Sequence, residues 1–294
     1  MRGSNHIRCS EIIELQAESA KRVEKSQARA DVLKMKRRNL SREEIVRELV
    51  KALEQLDYVY ACWESGAAAF NRVDEWSDID LNVVVEDERV AETFSAAEAA
   101  LKSVSPIAQK LEVPQLPWPG VSQAFYKLRN ASDYFLIDFA VFKLNSPDKL
   151  LEPEIHGNAV FHFNKSGKVK IPHVDRCELR SKLRKRLERL KTRFELFNVF
   201  VQKEIHRGNF LEAIDLYHNL TLAMLVEALR IKDNPLHCEF RMHYVHSELA
   251  SEVIERLSLL YFVKDQRDLQ RKYREATKWL AETIVEIERE GFRN

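Results

Sequence analysis

The stretch GAAAFNRVDEWSDIDLNVVV, Gly66 to Val85, decides the reading of the chain, and its centre is Ser77-Asp78-Ile79-Asp80-Leu81. From Asp78 onward the alternation predicts a strand, with Ile79, Leu81, Val83 and Val85 on one face and Asp78, Asp80 and Asn82 on the other. Carboxylates at i and i+2 of one strand face point the same way. Like charges held so close raise each other's pKa. A divalent cation removes that cost, and hard oxygen ligands suit Mg²⁺. A solvated strand end would tolerate the same pair with no ion at all.

Working outward, a capping box at Ser41 and Glu44 opens a helix with Ile45, Leu49, Leu53 and Leu56 on its apolar face. Tyr58 to Trp63 is predicted as a short strand and Glu64-Ser65-Gly66 as a turn. Glu88 to Val104 is a second helix. Pro106, Pro114, Pro117 and Pro119 predict an irregular loop. Ser122–Leu128 and Tyr134–Phe142 are expected to form a hairpin about Arg129–Asp133. In its second strand Phe135, Ile137, Phe139 and Val141 share a face, and Asp138 lies on the other, between Leu136 and Ala140. A carboxylate inside an apolar strand needs a cation, a hydrogen-bond network or open water. If this strand lies beside that of Asp78 and Asp80, three carboxylates meet, a set able to hold two Mg²⁺ ions on a nucleoside triphosphate.

Gly66, then Ser77-Asp78-Ile79-Asp80-Leu81 eleven residues on, then a later apolar-Asp-apolar strand, resembles the nucleotidyltransferase superfamily of polymerase-beta type. The resemblance covers about residues 41–145. It implies transfer of a nucleoside monophosphate, AMP from ATP, to an acceptor hydroxyl with release of pyrophosphate, and Mg²⁺ and ATP (or another NTP) as cofactor and co-substrate. Asp78 and Asp80 would bridge both metals. Asp138 would bind the catalytic metal and help deprotonate the hydroxyl. Gly66, Ala67 and Ser77 would meet the nucleotide, with Arg72 reaching phosphate oxygens. One departure stands out. The residue after the motif glycine is usually Ser and here is Ala67, which keeps its N–H and lacks the hydroxyl; Asn71 stands where Gly is frequent. This departure keeps open a second class of function, a catalytically weakened or antitoxin-like module of the same fold that acts on or binds a protein partner.

Residues 146–175 are expected to be a connector carrying a small hairpin over 160–171. From Arg176 on, apolar residues recur at helical spacing along four segments: 179–201 ending at Gly208, 211–231, 247–262 and 265–290. They predict an up-and-down helical bundle. The domain expectation is therefore 1–40 as a helical extension, 41–145 catalytic, 146–175 connector and 176–294 bundle. The fold class is α+β, a small mixed sheet domain followed by an all-α bundle. This order resembles the antibiotic nucleotidyltransferases, which implies a small-molecule acceptor beside the bundle. Between Arg176 and Arg207 stand eleven Lys or Arg and four Glu. Without interleaved aromatic residues this reads as a solvated face rather than a nucleic-acid surface, although Lys182 is a candidate for the triphosphate. Arg241 and His246 carry the R-x4-H spacing of HEPN ribonucleases, a pattern that arises easily by chance.

The composition excludes more than it assigns. Among 294 residues, 47 Lys and Arg against 46 Asp and Glu leave no charge bias toward any partner. Seven Gly, eight Pro and 32% charged residues favour a helix-rich soluble chain. No apolar run approaches the roughly 18 residues of a membrane span, and the start lacks a signal-peptide core. Met1–Ser4 reads as an expression leader. Cys9, Cys62, Cys177 and Cys238 are scattered, as expected of reduced thiols in the cytoplasm. The thin stripe Ile12, Val23 and Leu33 of the extension offers a face on which a second copy could pair; the sequence leaves the oligomeric state open.

Overall fold

The computed structural model describes residues 39–114 and 116–292. The expected helical extension therefore lies outside the described residues, apart from its last two positions. The described chain divides into two compact units: residues up to 151 with 156–171, and residues 152–155 with 172 onward.

The first unit is built on a mixed six-stranded sheet. Its strands are β1 (Val59–Glu64), β2 (Ile79–Val85), β3 (Ile107–Glu112), β4 (Val121–Leu128), β5 (Ile137–Lys143) and β6 (Val160–Asn164). Their spatial order is β3-β4-β5-β2-β1-β6. β2 and β5 pair in parallel, while the other neighbours are antiparallel. A parallel pair needs a long crossover. Here the connection supplies helix α3 (Val90–Val104) and the β3–β4 hairpin.

Helix α1 (Arg42–Glu54) starts at the expected capping box: Ser41 Oγ accepts from Glu44 N at 3.2 Å, and Ser41 N donates to Glu44 at 3.0 Å. It buries Ile45, Leu49 and Leu53 against Ile79, Leu81 and Ile137 of the sheet. Each such side chain contributes about 2 kcal/mol of burial. α3 adds Ala97 and Leu101 to the same face. The opposite face packs Trp63, Val84, Ala140 and Phe142 with Leu151 and Val169. Because strand side chains alternate, Asp80 and Asp138 belong to this second face.

Several boundaries differ from expectation. β2 begins at Ile79 and β5 at Ile137, so Asp78 and Tyr134–Leu136 lie in the loops that enter them. The proline-rich loop contains β3, an edge strand exposed along most of its length. The small hairpin over 160–171 does not form. β6 pairs instead with β1, and Asn164 holds the following loop with Nδ2 donating to Val169 O at 2.8 Å and Oδ1 accepting from Val169 N at 3.2 Å.

The second unit is helical. Its main helices are Arg176–Phe197, Val199–Arg207, Phe210–Leu216, Ala223–Asp233, Ser251–Tyr261 and Gln266–Glu290. The first expected segment divides at Asn198, and the second contains a π-helical turn, Tyr217–Leu222. The third begins at Ser251, after a short helix at Val245–Glu248. They share one core with Leu190, Leu225, Leu229, Tyr273, Leu280 and Ile284. None of the described helices is long and apolar enough to cross a membrane. Cys62, Cys177 and Cys238 are free thiols.

Candidate active site

The parallel register of β2 and β5 places Asp80 directly opposite Asp138. Both side chains are half-buried. Burial raises the Asp80 pKa to about 6, and the charges of Asp138 and then Asp78 push it the same way, against a weaker pull from Arg42. Burial also raises Asp138, and a hydrogen bond from Gln123 opposes that rise. Gln123 Nε2 donates to Asp138 Oδ1 at 2.6 Å and to Oδ2 at 2.8 Å. Gln123 lies on β4, two residues before Phe125, the register partner of Asp138.

Asp78 is exposed at the mouth of the strand pair, where its Oδ1 accepts from Leu136 N at 3.3 Å. The three carboxylates are therefore neighbours but not a ready-made ligand cluster. Among the described residues no three His, Cys, Asp or Glu side chains stand close enough to hold an ion. Gln123 is hydrogen-bonded to Asp138, and the Leu136 amide to Asp78. The donor chemistry fits a hard divalent cation: two half-buried, mutually repelling carboxylates are relieved by a positive charge between them.

Gly66 explains how the turn admits this arrangement. Its φ is +55°, and a Cβ there would fall 1.9 Å from Asp80 Oδ2. The single helical turn α2 (Gly66–Ala69) thus lies against the carboxylate, and only glycine leaves room. Ser65 Oγ accepts from Asn82 Nδ2 at 2.9 Å, tying the turn to β2. Ala67 lies inside this helical turn, its carbonyl accepting from Arg72 N at 2.8 Å.

The remaining nucleotide candidates are placed less suggestively. The Ser77 hydroxyl serves its own loop, donating to Asp74 Oδ1 at 2.7 Å and accepting from Asp74 N at 2.9 Å. The Arg72 guanidinium stands 5.2 Å from the centre of the Phe70 ring. Lys182 belongs to the second unit and pairs with Glu178 at 2.8 Å. Arg241 of the R-x4-H pair has a structural part, its carbonyl accepting from Arg230 Nε at 2.6 Å.

Two features escaped the sequence reading. Gln123 is one polar residue in an alternating strand, and only the register with β5 marks it. Glu64, expected in a turn, ends β1 almost fully buried, ion-paired with Arg42 and bound to His162 Nε2 at 3.0 Å.

The fold and the paired carboxylates define an α+β protein with a candidate cation-binding sheet face. No protein-family model and no curated protein matches the chain. Among solved structures it is similar to an aminoglycoside 6-adenyltransferase from Bacillus subtilis, at 13% identity and a TM-score of 0.32, over 84% of this chain and 92% of that one. It is also similar to the spectinomycin adenyltransferase AAD(9) from Enterococcus faecialis with ATP and spectinomycin, at 10% identity and a TM-score of 0.34, over 83% and 100%. Likeness this low leaves the assignment of function to the residues themselves.

Proposed function

We propose that the chain is a nucleotidyltransferase that moves AMP from ATP to a hydroxyl of a small molecule. The observation that carries the reading is the register that sets Asp80 opposite Asp138 on adjacent parallel strands, with both carboxyl pKa values raised. Asp80 and Asp138, with Asp78 at the strand mouth, are the residues that would hold Mg²⁺. When bound, Mg²⁺ would neutralise charge on the triphosphate and favour ionisation of the attacking hydroxyl.

The reaction balances simply. The acceptor oxygen forms a bond to the α-phosphorus of ATP, the bond from that phosphorus to the bridging oxygen breaks, and pyrophosphate leaves. Asp138 accepts the hydroxyl proton, a role suited to a carboxylate whose pKa lies above the usual range. Gly66 keeps the backbone close against Asp80 and so fixes where that carboxylate points.

The test is release of pyrophosphate from ATP and Mg²⁺ in the presence of hydroxylated acceptors, beginning with spectinomycin and aminoglycosides, the compounds named for the two similar structures. Acceptor-dependent pyrophosphate with a matching adenylylated product supports the reading. Its loss in Asp138→Asn ties the chemistry to this site. Binding of a protein partner with no turnover of any acceptor would replace the reading with the partner-binding module that Ala67 keeps open.

A further inference from the structure

Gln123 shapes what Asp138 can do. A nitrogen within 2.6 Å of Oδ1 and 2.8 Å of Oδ2 stands between the two oxygens, on the open side where a carboxylate chelates a cation. The assignment of the carboxamide follows from charge: an ionised Asp138 accepts, so the NH₂ end of Gln123 must face it. The contact spans neighbouring strands of an ordered sheet, Gln123 and Asp138 being diagonal partners across the antiparallel β4–β5 register.

We propose that Gln123 is a positioning residue that closes the chelating side of Asp138 and leaves only its outward lone pairs to a cation or a proton. This rests on the reading of Asp80 and Asp138 as the cation site and deepens it. A carboxylate chelating through both oxygens would have its charge fully engaged. Held by Gln123, Asp138 keeps an outward oxygen able to accept a hydroxyl proton.

The test is binding of Mn²⁺ alone, followed by electron paramagnetic resonance of the free ion, in the full chain, Gln123→Met, Asp138→Asn and the double variant. Methionine keeps the length and volume of glutamine and removes the donor. Loss of one charge-assisted hydrogen bond from the competition predicts that Gln123→Met binds Mn²⁺ about tenfold tighter. Asp138→Asn in that background should abolish the gain. Unchanged or weaker binding by Gln123→Met, with Asp138→Asn still impairing the unsubstituted chain, overturns the role of Gln123 and leaves the cation site standing. Mn²⁺ binding that ignores Asp138→Asn in both backgrounds overturns the cation site and the role of Gln123 with it. Gln123→Glu, which adds a carboxylate at the same reach, should also tighten binding, and a failure there counts against the geometry. A merely structural glutamine would change the melting temperature of Gln123→Met without moving Mn²⁺ affinity.

Discussion

Asp80 has no space to spare on the side of Gly66. In Gly66→Ala the new methyl would lie 1.9 Å from Asp80 Oδ2, at a φ of +55° that alanine resists. The substitution should cost about 2 kcal/mol in urea unfolding, from the left-handed backbone and the displaced carboxylate together. It should also weaken cation binding, whereas Gly167→Ala, at a similar φ of +58° but with no atom within 4 Å of the new methyl, should cost only the backbone strain and leave binding unchanged. Asp80 makes a second prediction. Its folded pKa, about 6, lies above the ordinary value of 3.8, so between these pH values the folded protein holds a proton that the unfolded chain has released. Stability of the metal-free protein therefore falls as pH rises from about 4 to about 6, by up to about 3 kcal/mol. The difference between the unsubstituted chain and Asp80→Asn isolates this slope from that of other carboxylates. Added Mg²⁺ should reverse it. At this scale the sequence was informative where strand alternation exposed a charge. Asp80 and Asp138 stood out from apolar neighbours, while Gln123, an ordinary polar residue on a half-buried strand, could be recognised only through its partner.

Between elements, α1 is tied to the sheet through the buried Glu64, which is ion-paired with Arg42 and hydrogen-bonded to His162. Burial alone would raise the pKa of Glu64, but the hydrogen bond with His162 and the Arg42 charge outweigh it and hold it low. Glu64 is 5% exposed, so removing Arg42 strands a buried charge. Arg42→Ala should lose about 3 kcal/mol in chemical denaturation, and Arg42→Ala/Glu64→Gln should recover part of it. The Arg42 charge pulls the Asp80 pKa down, so Arg42→Ala should raise it further, readable by carboxyl NMR. In the second unit Arg230 is fully buried; its Nη1 donates to Glu248 at 2.7 Å, and its Nε and Nη2 donate to the carbonyls of Arg241 and His243. It pins the irregular segment 234–250 to the helix Ala223–Asp233. Element assignment failed where these tertiary contacts decide. β3 carries a partly buried Ile107 and an exposed Leu111 as its apolar signal, and β6 gains its place from pairing with β1 rather than from a local hairpin. The π-turn at Tyr217–Leu222 leaves no mark on a 3.6-residue periodicity.

At the scale of the whole molecule, two separate cores account for the two units. One lies on the helix-covered face of the sheet and continues as a smaller cluster behind it; the other is wholly helical. The sequence expectation sets the start of the helical part near Arg176, where alternation by two gives way to spacing by three and four; the two units divide between 151 and 172. The sheet order was not legible: a parallel β2–β5 pair joins residues about sixty positions apart, and nothing local announces it. That pair is also what makes the site, so the central claim can be tested there. The decisive measurement is calorimetric titration of ATP, with and without Mg²⁺, into the full chain, Asp80→Asn and Asp138→Asn. Binding should depend on Mg²⁺ and weaken about tenfold or more in each variant. Binding that needs no cation, or that survives both substitutions unchanged, would contradict the central claim.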